Sequence, residues 1–183
     1  MSLKSSVFIA TSLDGYIARP DGSLDWLDRA NESIPEGEDC GYQVFMESVD
    51  VLVMGRNTFE KVLSFGGDWP YGSKPIVVLS RSHVAIPDAI AQTVSASSEP
   101  PRVLVERLAT TGAQHLYVDG GQVIQSFLRE GLIDEITLTL LPVLLGAGKP
   151  LFGRLDQDVE LMHIATKAYE FGFVQNTYRV IKK

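Results

Sequence analysis

Val51-Leu52-Val53-Met54-Gly55-Arg56-Asn57-Thr58-Phe59-Glu60 and Leu116-Tyr117-Val118-Asp119-Gly120-Gly121-Gln122-Val123 each run from an apolar, strand-like stretch through glycine into a helix. At such a junction the first backbone N–H groups of the helix have no intrahelical partner, and the helix dipole adds partial positive charge. A missing Cβ also lets an anion come close. Two junctions of this kind suit a ligand with phosphates at two points. In an open sheet both would lie at the carboxyl ends of their strands, where such folds bind nucleotides. The first expectation is therefore an enzyme that uses a dinucleotide.

The remaining segments build outward from these two. Ser5 to Ser12 reads as a strand ending at Leu13-Asp14-Gly15, with Tyr16-Ile17-Ala18 continuing it before the turn at Pro20-Asp21-Gly22. Ser23 to Gly41 is a polar loop with short helical pieces, anchored by Asp25-Trp26-Leu27. Tyr42 to Val49 carries apolar residues at helical spacing. Pro75 to Ser80 is a near-continuous apolar strand, Ala91 to Val94 a short one and His115 to Val118 a buried one. Helices are expected at Pro101–Thr111 and Val123–Arg129. Glu135 to Leu141 is a long strand, Gly146 to Pro150 a loop, and 161–169 with 173–181 an antiparallel hairpin. Strand and helix alternate before that hairpin, so the fold class is α/β: a mostly parallel central sheet with an antiparallel C-terminal hairpin, in a single domain spanning 1–183.

Composition excludes other classes. The 183 residues carry 16 basic and 23 acidic side chains, a formal net charge of −7, which opposes a sequence-independent grip on nucleic acid or an anionic membrane surface. No apolar run reaches membrane-span length, and the first residues lack the pattern of a signal peptide, so a cytoplasmic location is expected. The single cysteine, Cys40, permits no internal disulfide. His83, His115 and His163 lack ligand spacing, and no metal is expected.

Taken together, these segments resemble the dihydrofolate reductase-like superfamily, and within it the reductase domain of riboflavin biosynthesis and its stand-alone bacterial relatives. Ser12-Leu13-Asp14-Gly15-Tyr16-Ile17-Ala18 resembles the first-strand signature of the riboflavin-type reductases. Leu132-Ile133-Asp134-Glu135, leading to Pro142-Val143-Leu144-Leu145-Gly146, resembles a later one. Met54 to Glu60 and Ile76 to Arg81 look like the segments that hold the phosphates and adenosine end of NADPH. Val118 to Gln122 is similar to the glycine pair under the pyrophosphate. The resemblance implies a dihydrofolate reductase-like three-layer fold, NADPH as cofactor, and hydride transfer to a pteridine-like or 5-amino-6-ribosylaminouracil-like heterocycle. It also implies a homodimer, with contact expected through Thr137–Leu141 and Val143–Leu145. The Ser/Thr and Ala-Arg pattern that follows the tryptophan of riboflavin enzymes, and their later Asp-Asp-Pro stretch, are not present. A dihydrofolate reductase proper, or a nucleotide-binding module without turnover, are the alternative functions.

Specific roles follow. Gly55, Gly120, Gly121, Gln122 and Val123 are expected around the pyrophosphate. Arg56 and Arg81, with Thr58, Leu79 and Ser80, are expected around the adenosine 2′-phosphate, since guanidinium forks match phosphate oxygens. Solvated arginines and helix-capping hydroxyls are the plainer alternatives. Ala10 and Ile17 would touch the nicotinamide. Asp14 is the candidate catalytic acid: a carboxyl in a partly apolar pocket can have its pKa raised enough to relay a proton, whereas an Asp-Gly pair can equally be a turn. Trp26, Tyr42, Phe45, Met46 and Trp69 are candidates for the substrate pocket, with plain core packing as the alternative for Trp26 and for the Tyr42-Phe45-Met46 stripe.

Overall fold

The structure, a computed structural model, describes residues 3–182. Strands are β1 (Lys4–Ser12), β2 (Tyr16–Ala18), β3 (Val51–Gly55), β4 (Ile76–Leu79), β5 (Val94–Ser97), β6 (His115–Asp119), β7 (Glu135–Leu141), β8 (Lys149–Pro150), β9 (Leu161–Ala168) and β10 (Val174–Val180). Helices are α1 (Asp25–Asn31), α2 (Tyr42–Ser48), α3 (Arg56–Ser64), α4 (Pro101–Thr110) and α5 (Gly121–Arg129). One eight-stranded sheet has the order β5-β4-β3-β6-β1-β7-β10-β9, parallel from β5 to β7 and antiparallel across β10 and β9.

The inner strands are apolar on both faces because both are covered. Alternate residues separate into two cores. Val7, Val53 and Val118 face α4 and α5, meeting Leu104, Leu108, Ile124 and Phe127. Leu52, Met54, Val78 and Tyr117 face the other way, against Phe59 of α3 and Phe45 of α2. α5 buries Val123, Ile124, Phe127 and Leu128, a stripe at the helical period. Phe59 and Phe127 are fully buried, so truncating either to alanine should cost about 3–5 kcal/mol. A third core, built on Trp26, Leu141, Tyr169 and Phe173, seats α1 on β7 and the C-terminal hairpin.

Register places a crevice in this sheet. β1 pairs with β6 only at Lys4↔His115, Ser5↔Leu116 and Ser6↔Tyr117. Beyond that, β1 stays with β7 to Ser12, and β6 stays with β3 to Asp119. The sheet is therefore open between β1 and β6 at their carboxyl ends, on the side where α3 and α5 begin.

Some boundaries differ from the sequence expectation. The short strand expected at 91–94 lies at Val94–Ser97, because residues 88–93 are taken up by a single 3-10 turn and the turn bonds Ala91 N–H to Asp88 and Thr93 N–H to Ile90. The segment expected to be only a loop at 146–150 contributes β8, which pairs with β2. α5 begins at Gly121 rather than Val123. β7 is an interior strand flanked by β1 and β10, with Ile136, Thr139 and Leu141 buried, so it does not present the open apolar surface expected of it. That surface belongs to β9, whose residues are all exposed. No helix among the described residues is long and apolar enough to cross a membrane.

Candidate active site

Two helix N-termini converge at the crevice. β3 and β6 are hydrogen-bonded neighbours, so α3 and α5, which leave their carboxyl ends, begin side by side. Neither start is closed by a side-chain cap, and neither first turn holds an acid, so the orphan N–H groups there remain available to an anion. Gly120 has φ +91°, and a Cβ there would collide with the Thr58 hydroxyl. A Cβ on Gly121 would lie 3.0 Å from the Ile17 δ-methyl and 3.3 Å from the Pro150 carbonyl oxygen. Gly55, Thr58, Ile17, Gly120 and Gly121 thus meet in one place. Val123 is buried, with a γ-methyl packed toward Gly55, and supports this floor from below; Gln122 is exposed at its rim.

A polar corner adjoins it. The Arg56 guanidinium, at the start of α3, donates to the Ser82 hydroxyl at 2.9 Å, reaching across to the loop that follows Leu79 at the end of β4. Ser80 Oγ donates to the Ser82 carbonyl at 2.9 Å and accepts from the Ser82 N–H at 3.1 Å, which fixes that loop. Arg81 is exposed beside it. Arg56 also lies 3.7 Å from Glu60, an exposed pair of small energetic weight. Ser82 has no place in the sequence reading; its hydroxyl is one of many serines and only the turn reveals it.

The opposite wall is aromatic. Phe8 of β1 stacks on Phe45 at 4.8 Å between centroids, and Phe45 meets Tyr117 edge-on at 5.0 Å. Tyr42 packs on Phe8 at 5.8 Å. Trp69 lies edge-on to Phe59 and to Tyr71, at 5.9 and 5.2 Å. Met46 packs into the same core. The Tyr117 hydroxyl donates to the Phe8 carbonyl at 2.9 Å, tying β6 to β1 where the strands have parted.

Asp119 occupies the end of β6 among these rings. It is half-buried, and its one hydrogen bond is from the adjacent Gly120 N–H at 2.8 Å. Desolvation pushes its pKa up to about 6, against the smaller opposing effect of that N–H. Burial raises Tyr42 to about 12, and raises Tyr71 and Tyr117 too; the Asp119 charge adds to the shift of all three.

Asp14 has the opposite environment. It is exposed; its carboxylate accepts from Ser12 Oγ at 2.6 Å, Leu145 N–H at 3.1 Å and Gly146 N–H at 2.8 Å, and these bonds, led by Ser12, lower its pKa. The raised pKa expected at Asp14 is found at Asp119. Asp14 is a latch between the end of β1 and the 145–146 loop, because three donors favour the ionised form. Trp26 is buried against Leu141, Tyr169 and Phe173, away from the Phe8–Tyr117 rings, and borders a cavity of about 300 Å³ with Arg29, Val143 and Phe171. Ala10 packs toward that same core. Trp26 therefore takes the core role, and of the proposed substrate side chains Tyr42, Phe45, Met46 and Trp69 share one aromatic cluster. Among the described residues, no three His, Cys, Asp or Glu side chains gather as metal ligands.

Comparison with known proteins shows the family and the fold. The model of the RibD C-terminal domain matches residues 5–173, and the chain belongs to that family. It is similar to a candidate riboflavin biosynthesis protein of Shewanella sp. PV-4, with 43% identity and a TM-score of 0.92 over 98% of this chain and 100% of the other. The Bacillus subtilis (strain 168) protein YwjB is 36% identical over 92% of this chain and 94% of its own length. The fold is also that of dihydrofolate reductase: the Enterococcus faecalis enzyme, solved with NADP(H), superposes with a TM-score of 0.64 at 17% identity, over 98% of this chain and 97% of that one.

Proposed function

We propose that the protein is an NADPH-dependent reductase of a pteridine-like or ribosylaminopyrimidine-like heterocycle. The observation that carries this reading is the pair of uncapped helix N-termini, α3 and α5, side by side at the opening between β1 and β6. The chain's residues would fit the cofactor: Gly120 and Gly121 leave the backbone bare beside the first N–H groups of α5, which would meet a pyrophosphate while the Gly120 N–H itself is held by Asp119, and Arg56, Ser80, Arg81 and Ser82 would form a corner for the 2′-phosphate. NADPH, when bound, supplies the hydride. Ile17 and Thr58 would fix the position of the ring and ribose end against the glycines, while Phe8, Phe45 and Trp69 exclude water from the space over them.

The test measures loss of reduced nicotinamide absorbance with a panel of pterins and aminopyrimidines, alongside direct titration of NADPH binding. Turnover of any of them supports the reading. NADPH binding without oxidation across the panel would favour the nucleotide-binding alternative, and absence of NADPH binding would overturn both.

A further inference from the structure

Helix α1 carries Trp26, Arg29 and Ala30 at i, i+3 and i+4, so the three share one helix face. All three border the cavity of about 300 Å³ that lies between α1, the end of β7 at Leu141 and Val143, and the turn of the C-terminal hairpin at Phe171. The crevice opens on the β6 side of β1, whereas this cavity lies on the β7 side, so the two are separate places on the sheet. Its inner walls are apolar. Trp26 and Phe173 are each 3% exposed, and the half-buried Phe171 packs edge-on against Phe173 at 5.0 Å between centroids. Its ionisable lining has one sign: Arg19 and Arg29 border it and, among the described residues, no acidic side chain does, in a chain of formal net charge −7. Arg19 is pinned to Asp25 through Nε and Nη2, which leaves Nη1 without an acceptor among the described residues. Arg29 makes no hydrogen bond or ion pair among the described residues. An exposed arginine alone needs no explanation. Here it stands at the rim of a concave aromatic surface, which is the form of a small-molecule site.

We propose that this cavity is a second ligand site, for a small aromatic carboxylate whose ring lies against Phe171 and Trp26 and whose charged group is held by Arg29, with Arg19 beside it. A guanidinium is always protonated and presents paired N–H groups that match the two oxygens of a carboxylate. The apolar walls recover free energy only from a guest that brings apolar surface, so a bare anion gains less here than an acid with a ring. The volume is at the small end of ligand pockets and suits one or two fused rings. The Ser33 hydroxyl, also at the rim, donates to the Ala30 carbonyl at 2.7 Å, so recognition of the anion falls to the arginines. The site stands independently of the reductase reading, because none of its walls belongs to the crevice.

The test is isothermal titration of the whole protein with phenylacetate, its neutral counterpart phenylacetamide, and inorganic phosphate. Wild type should bind phenylacetate roughly tenfold or more tightly than either of the others, and Arg29→Gln should erase most of the preference over phenylacetamide. Ala30→Leu, which fills the cavity from its α1 side, should weaken phenylacetate severalfold or more, and melting temperatures report separately on folding. NADPH added at saturation should leave phenylacetate binding unchanged. Absence of binding at millimolar phenylacetate would overturn the proposal, as would equal affinity of wild type for phenylacetate and phenylacetamide, whether or not the variants fold. Phosphate bound as tightly as phenylacetate would mark a plain anion corner, and displacement of phenylacetate by NADPH would put the ligand in the crevice; either result would also overturn it. Because these titrations need no turnover, failure of NADPH oxidation would count against the reductase reading alone.

Discussion

Gly120 is the residue where adding one methyl should do most harm. Its φ of +91° strains any L side chain, and the new Cβ would meet the Thr58 hydroxyl, so Gly120→Ala should lose roughly 2 kcal/mol or more of stability in urea titrations. Gly121→Val, crowding Ile17 and the approach to the α5 N–H groups, should weaken NADPH binding by roughly tenfold or more. Arg81→Ala should lower affinity for NADPH while leaving NADH nearly unchanged, with the difference shrinking as salt is added. Equal binding of both cofactors by wild type would remove that role. Asp14→Asn is expected to spare NADPH binding and to show instead as faster limited proteolysis across 144–148, since the carboxylate holds Leu145 and Gly146. The cradle glycines were legible in sequence because a strand-Gly-helix junction has a local signature. The choice between Asp14 and Asp119 was not: Asp119 is desolvated by its burial at the carboxyl end of β6, and the tyrosines on which its charge acts, Tyr42, Tyr71 and Tyr117, lie far apart in the chain.

Among the elements, β9 carries the clearest unpartnered surface. It is an edge strand with Leu161, Met162 and Ile164 each more than two-fifths exposed, a liability that chains ordinarily cover. We propose a second copy of this chain as the cover. Sedimentation at micromolar concentration should show a dimer for wild type and a shift toward monomer for Ile164→Lys; a monomeric wild type would sink the assignment. The sequence pointed instead to Thr137–Leu141 and Val143–Leu145, of which Leu144 is exposed. Thr137–Leu141 is apolar because β7 is interior, with β1 and β10 on its two edges and Ile136 and Leu138 in the core with α5. The same physics made β3, β4 and β6 easy to read, as buried strands are continuous apolar runs. β5, with Ser95-Ala96-Ser97, and the two-residue β8 lack such a pattern and exist through their pairing with β4 and β2.

At the scale of the molecule, Asp119 links the site to stability. Its pKa, near 6 in the folded protein, exceeds the ordinary carboxyl value, so the folded state binds its proton more tightly. Stability should then fall as pH rises between about 4 and 6, by roughly 3 kcal/mol at most. Asp14, Asp39 and Asp50, held low chiefly by hydrogen bonds, act in the opposite sense and lose their contribution as pH falls. Comparing Asp119→Asn with wild type cancels them: the variant should be the more stable protein near neutral pH and indistinguishable at about pH 4. The α/β class was legible from alternation of strand and helix, whereas the position of the crevice depends on where β1 and β6 cease to pair, a register that no local pattern encodes. That short pairing has a consequence for how the chain folds and breathes. β3, β4, β5 and β6 form a continuous stretch of sequence, 51–119, while β1, β7, β9 and β10 draw on both ends of the chain, and between the β3–β6 and β1–β10 halves the sheet is joined by three residue pairs. The contiguous half can close its loops early, and β1, which must slot between β6 and β7, docks late. In native-state amide exchange the two halves should then open as separate cooperative units, with the β1–β6 seam as their boundary and a ligand spanning it acting as a rivet that merges them into one.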